Sequence, residues 1–283
     1  MWKPEHRVAA AERGYLRYPS DMSDVEWTLV APMIPPARRG GRPRDVNVRE
    51  VLNAVFYVLA TGCQWQALPK DLPPRSTAHH YFSMWDRDGT LERIHDALYV
   101  AVRDAAGREA SPSAAIIDSQ SAKAAQIGAS SLDPQGFDAG KKVTGRKRHI
   151  LFDTLGLLLG VSILPADVQD RDGSRDLLRQ ARRRFPFIER IFADAGYQGP
   201  KMAAVVAATG CWKIEIVKRS DLHRFVVLPK RWIVERTFAW ISRNRRLMRD
   251  FERHAATVAA FVRLAMIRLM LKRLTKPSPC SGI

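Results

Sequence analysis

The sequence predicts an α/β mixed protein in two parts: an all-helical N-terminal region to about residue 108, then a core of strands and helices closed by two basic helices. Three observations carry this. Apolar residues recur at helical spacing through the first hundred residues, as at Val48, Val51, Leu52, Val55, Phe56 and Leu59. From Ala114 the pattern changes to short apolar runs between turns, AAIIDS, RHILFD and LLLGVSILPA. From Lys218 to Arg273 there are 15 Lys or Arg against 4 Asp or Glu, in two long helical stretches.

The elements follow in order. Ser23, three residues before Glu26, forms a capping box that starts a helix ending ahead of Pro35 and Pro36. ARRGGRPR reads as a basic loop. Asp45 to Leu59 is a second helix stopped at Gly62, the turn LPKDLPPR follows, Ser76 caps a third helix through Asp88, and Leu91 to Ala106 is a fourth. At the centre stands a helix-turn-helix-like pair. A second helix in that arrangement enters the major groove with its first residues, here Ser76, Thr77, His79 and His80. Tyr81 and Trp85 on the same helix fit a plain bundle as well.

In the second part, five strands are expected: AAIIDS, RHILFD and LLLGVSILPA, the last two joined by a tight DTLG hairpin, then RIFAD and WKIEIVKR. DVQDRDGSRD opens a helix that runs to Arg184, and GPKMAAVVAATG is a short one. The closing helices span Lys230 to Asp250 and His254 to Leu274.

Composition narrows the partner. Lys and Arg number 46 against 29 Asp and Glu, a formal charge of +17, and a polyanion is the natural counterpart of such an excess. KKVTGRKR holds Lys141, Lys142, Arg146, Lys147 and Arg148 within eight residues, read here as a loop on phosphates. No apolar stretch reaches the roughly 18 residues of a membrane span, and MWKPEHRVAAAERG lacks the apolar core of a signal peptide, so a cytoplasmic, nucleoid-associated protein is expected. Cys63, Cys211 and Cys280 are scattered, without the pairing of a zinc site.

Two strands end on carboxylates, at Asp118 and Asp194. Either one alone reads as a turn residue. A third acid, Glu235, is the only one between Lys230 and Arg249, and with Arg231, Ala239, Ser242 and Arg246 it falls within about 40° of one line on a helix. An ion pair with Arg231 would explain Glu235 by itself. Brought together, the three carboxylates form a hard-oxygen site for Mg²⁺, and two such ions would serve an in-line displacement at phosphorus. Asp153, Asp167, Asp170 and Asp172 lie near the same sheet, Asp153 reading as a hairpin residue and Asp172 as a helix cap. His149 reads as structural or phosphate-facing, and Trp232 and Trp240 as core rather than as stacking partners of a flipped base.

The order IIDSQSAK, GKKVTGRKRHILFDTLGLLLGV, PADVQDRDG, FADAGYQG and RWIVERTFAWISRNRRL resembles bacterial insertion-sequence DDE transposases of insertion-sequence family five, across most of the chain. The resemblance implies a ribonuclease H-like catalytic core over residues 109–276, a helical DNA-binding domain over 1–108 and a short tail, 277–283. It implies Asp118, Asp194 and Glu235 as the catalytic and metal-binding triad, with two Mg²⁺ ions or Mn²⁺ in their place. Arg231 matches the arginine of the family's C-terminal signature. The signature's Tyr is Leu228 here and its Lys is Ser242, with Arg243 and Arg246 nearby as substitute charge. The implied activity is binding of terminal repeats, metal-dependent cleavage of the ends and joining of 3′-hydroxyls to target DNA, by a homodimer or higher oligomer on double-stranded DNA. A DNA-binding regulator without catalysis and a ribonuclease H-type nuclease that joins nothing are the alternatives.

Overall fold

The computed structural model describes residues 14–37, 40, 44–125, 132–208, 212–217 and 231–276. The N-terminal leader, most of the basic ARRGGRPR loop, residues 126–131, Leu228, the side chain of Arg231 and the tail lie outside the described residues.

Helix α1 (Asp24–Val30) begins as expected, Ser23 Oγ accepting from the Glu26 amide and Glu26 accepting from the Ser23 amide. Helix α2 (Val48–Thr61) is capped by Asn47 and ends at Gly62, whose φ of 70° suits a residue without Cβ. Helix α3 spans Arg75–Arg87 and α4 Thr90–Ala105. Pro74, not Ser76, occupies the N-cap of α3 and no side chain caps it, so Ser76 lies inside the first turn.

The core is one mixed sheet. Its strands are β1 (Ala114–Lys123), β2 (Gly136–Asp138), β3 (Val143–Asp153), β4 (Leu158–Pro165), β5 (Arg190–Ala193) and β6 (Lys213–Ile216). β3 is antiparallel to β1 and to β4, while β1, β5 and β6 run parallel in that order. Leaving aside the short β2, which pairs with the start of β3, the order is third, second, first, fourth, fifth with only the second reversed. This is the ribonuclease H-like arrangement. Helices α5 (Asp170–Gly173), α6 (Arg175–Arg184) and α7 (Pro200–Ala207) fill the connections, and α8 (Arg231–Ser242) and α9 (Ala255–Leu274) follow β6.

Three elements differ from expectation. β1 continues five residues past Asp118 because β3 pairs with it from Ala115 to Lys123, so Asp118 lies mid-strand. The start of β3 replaces the expected basic loop. Helix α8 stops at Ser242, where the Asn244 side-chain Nδ2 donates to the carbonyls of Trp240 and Ile241 at 3.1 and 3.2 Å; Arg246 therefore leaves the expected helical stripe.

α9 is apolar almost all round, with Phe261, Val262, Leu264, Ile267 and Met270 buried, which suits a helix enclosed on every side. It packs on β4 and on α2 and α4. Its basic residues are used within the fold: Arg263 pairs with Asp86 at 3.4 Å and Arg268 donates to the Pro19 carbonyl at 3.0 Å.

Candidate active site

β1 and β5 are in parallel register with Ile116 beside Phe192. Two residues further, Asp118 and Asp194 stand at one height on one face, since alternate residues share a face. Asp118 is half-buried. Burial, then the like charges of Asp194 and Asp170, push its carboxyl up to about 7 against the hydrogen bond from the Ser119 amide and the charge of Lys141. Asp194 is exposed, directly after β5, and accepts from the Gly196 amide at 2.9 Å. That bond fixes the turn Ala195–Tyr197.

Glu235 is exposed on α8, which packs against β1. The structure thus pairs Asp118 with Asp194 and places Glu235 on the neighbouring helix. Among the described residues no three His, Cys, Asp or Glu side chains are drawn together closely enough to hold a metal. Two adjacent carboxylates, one of them held near neutrality by burial and like charge, nonetheless suit a hard cation, and Mg²⁺ commonly takes only one or two carboxylates together with water and substrate phosphate.

The basic run divides. Lys141 and Lys142 are exposed at the turn before β3, the Lys141 amide held by Asp138 at 3.0 Å. Arg146 and Arg148 are each 1% exposed and do not face phosphate as expected. Arg146 bonds Asp250 at 3.1 Å and the carbonyls of Asp133, Glu252 and Arg253 at 2.9, 3.0 and 3.0 Å. Arg148 donates to the Leu247 carbonyl at 2.7 Å, and burial lowers its guanidinium to about 10. Lys147, also buried, donates to the Val168 carbonyl at 2.8 Å and pairs with Asp170 at 3.1 Å. Arg146 and Arg148 tie β3 to the segment between α8 and α9, and Lys147 ties it to the start of α5. Arg246, 8% exposed, instead ties that segment to the loop after α2 through the Cys63 carbonyl and pairs with Glu252, while Arg243 is exposed.

On α3, Ser76, His79 and His80 are exposed and Thr77 partly so. His79 leans edge-on against Trp65 at 5.1 Å. Ser76, Thr77 and His80 line an open groove of about 840 Å³ beside Pro36 and Arg44. Trp232, expected in the core, is 51% exposed with the Arg236 guanidinium 4.1 Å above its ring.

Sequence reasoning weighed Asp170 only as one acid among several. Its Oδ1 accepts from Ser119 Oγ at 2.7 Å beside the Lys147 ammonium. Alternating serines at 119 and 121, in a strand flanked by apolar runs, were the signal that polar partners were needed behind Asp118.

The sequence also matches known families. Residues 22–95 match the family described as "Putative transposase of IS4/5 family" and residues 109–270 match "Transposase DDE domain". Two Burkholderia cepacia proteins are each 32% identical. One, "Insertion element IS402 uncharacterized 16.2 kDa protein", matches over 113 residues, 38% of this chain and 76% of that one. The other, "Putative transposase for insertion sequence element IS402", matches over 128 residues, 42% of this chain and 60% of that one. The crystal structure of the Mos1 mariner paired end complex with Mn aligns over 95% of this chain and 90% of that one at 10% identity and TM-score 0.28, a likeness too low to inform the fold. The second family match alone spans more than half of the chain, and the chain belongs to the DDE-domain transposases of insertion sequences.

Proposed function

We propose that the protein binds the terminal repeats of its own insertion sequence, cleaves the element's ends by metal-dependent hydrolysis and joins the freed 3′-hydroxyls to target DNA. The observation that carries this is the placing of Asp118 and Asp194 at one height on neighbouring parallel chain segments, with burial and the like charge of Asp194 raising the Asp118 carboxyl. Asp118 and Asp194 would hold Mg²⁺, with Mn²⁺ as a substitute, and Glu235 would complete the set from α8. Two ions are expected. When bound, the metal supplies an activated nucleophile and charge stabilisation at the leaving oxygen. The chain's own part is to hold those carboxylates on rigid strands and to lay the phosphodiester across them. Exposed Lys141, Lys142 and Arg243 suit phosphate contact, Arg231 is assigned with them from the signature, and Ser76, Thr77, His79 and His80 are assigned to the element's end. Joining two ends to one target calls for at least two copies on DNA. Action on the nucleoid in the cytoplasm follows from the substrate, and no helix among the described residues is long and apolar enough to cross a membrane.

The test incubates the purified protein with Mg²⁺ and DNA carrying its flanking repeats, and follows cleaved and joined products. Asp118→Ala, Asp194→Ala and Glu235→Ala should each abolish both while leaving end binding in place. Cleavage retained by one variant removes that residue from the site. Cleavage without joined product in the wild type favours a nuclease, and binding without cleavage a regulator.

A further inference from the structure

Behind Asp118, on the opposite face of β1, lies a buried polar layer. Ser119 stands beside His149 in the β1–β3 register, and Ser121 beside Lys147. Ser119 and Lys147 are each 7% exposed and His149 is fully buried. Neither ring nitrogen of His149 has a hydrogen-bond partner, and its Nε2 presses on α5, where a Cβ added to Gly173 would lie 2.4 Å away. Ser121 Oγ bonds Asp138. Burying so many polar groups opposes folding unless they serve something else, since apolar side chains would fill the same space at less cost.

Asp170 joins this layer to both carboxylates of the proposed site. Its Oδ1 takes the Ser119 hydroxyl at 2.7 Å and the Lys147 ammonium at 3.1 Å. The Ser119 amide in turn donates to Asp118 Oδ1 at 2.6 Å. On the other side, a Cβ added to Gly196 would lie 3.1 Å from Asp194 Oδ1 and 3.3 Å from Asp170 Oδ2, so both carboxylates approach the same turn closely. Tyr197, 1% exposed, sits among the charges of Asp118, Asp170 and Asp194. One carboxylate from α5 is therefore held by β1 and β3 and abuts the turn that carries Asp194.

We propose that Asp170 is a positioning residue of the transposase site: it fixes Asp118 through Ser119 and the Asp194 turn through Gly196, and Lys147 holds it in place. This rests on the reading that Asp118 and Asp194 bind the metal. A carboxylate that orients metal ligands from behind commonly contributes a factor of 10–100 in metal affinity.

The test measures Mn²⁺ binding to the full chain by electron paramagnetic resonance, together with its metal-free melting temperature. Asp170→Asn keeps the size of the side chain and removes the charge held by Lys147, and Ser119→Ala removes only the hydroxyl link. The expected result is a roughly 10–100-fold loss of Mn²⁺ affinity in Asp170→Asn, a smaller loss in Ser119→Ala, a changed Mn²⁺ line shape in both and melting temperatures close to wild type. If Asp170→Asn does not fold, Ser119→Ala decides alone. Asp118→Asn is the reference. Should it lose Mn²⁺ while Asp170→Asn and Ser119→Ala bind as wild type, the positioning role is overturned and the metal site stands. Should Asp118→Asn bind Mn²⁺ as wild type, the metal reading fails and this proposal fails with it.

Discussion

His149 shows how one buried side chain sets a response to acid. Burial lowers its pKa from 6.5 to about 4. Between those values the unfolded chain holds a proton that the folded chain refuses, so stability falls as pH drops through that window. His149→Phe should flatten the acid side of the stability curve, read as denaturant midpoints from pH 7.5 to pH 4; parallel curves for variant and wild type would refute this. Asp118 works in the opposite sense. Its carboxyl, raised to about 7, costs the folded state stability as pH rises from the unfolded value near 4 to 7. Metal-free Asp118→Asn should therefore be more stable than wild type at pH 8 by roughly 0.5–2 kcal/mol, measured by thermal melting, and a lower midpoint would show that the Asp118 charge is already compensated. The two strand-borne aspartates were legible because apolar runs stop at them. His149 was not, because the face a residue takes in RHILFD depends on which strands flank it.

At the scale of elements, β3 is where local reading failed. Five basic residues in eight look the same whether solvated or buried, and the partners that decide the matter lie about a hundred residues away, at Asp250 and the carbonyls of Leu247, Glu252 and Arg253. Arg146→Ala should cost about 3–5 kcal/mol of stability, the usual result of stripping one partner from a buried ion pair. Replacing Lys141 and Lys142 together should leave stability unchanged and flatten the slope of log DNA affinity against log salt by up to about 1.8, two phosphate contacts' worth. Filter-binding titrations and melting curves separate the two outcomes, and an unaltered slope would show Lys141 and Lys142 to be merely solvated. The sheet itself was readable from period and turns: each of its five expected strands is present. β2 was missed because three residues, GFD, carry no period. The extension of β1 was missed because Ser119, Gln120 and Ser121 have no apolar signal, only partners on other elements.

For the whole molecule, α9 is the piece that sequence described least well. Its four basic residues belong to the basic stretch that closes the sequence, yet Phe261 packs on Phe82 at 4.6 Å and approaches Trp65 at 6.4 Å, and one hydrophobic core runs from α1 to α9. Residues 1–108 on their own lack the helix that covers Phe82. Such a fragment should show weak near-ultraviolet circular dichroism and bind a hydrophobic dye, and a cooperative melt without α9 would disprove the dependence. The same helix also sets a schedule during synthesis. The helices that would read DNA leave the ribosome early, while the segment that completes their core emerges some 170 residues later, roughly ten to thirty seconds at ordinary translation rates. A nascent chain in that interval has its first four helices without a finished core to hold them, and a chain stopped short of residue 255 would never close it.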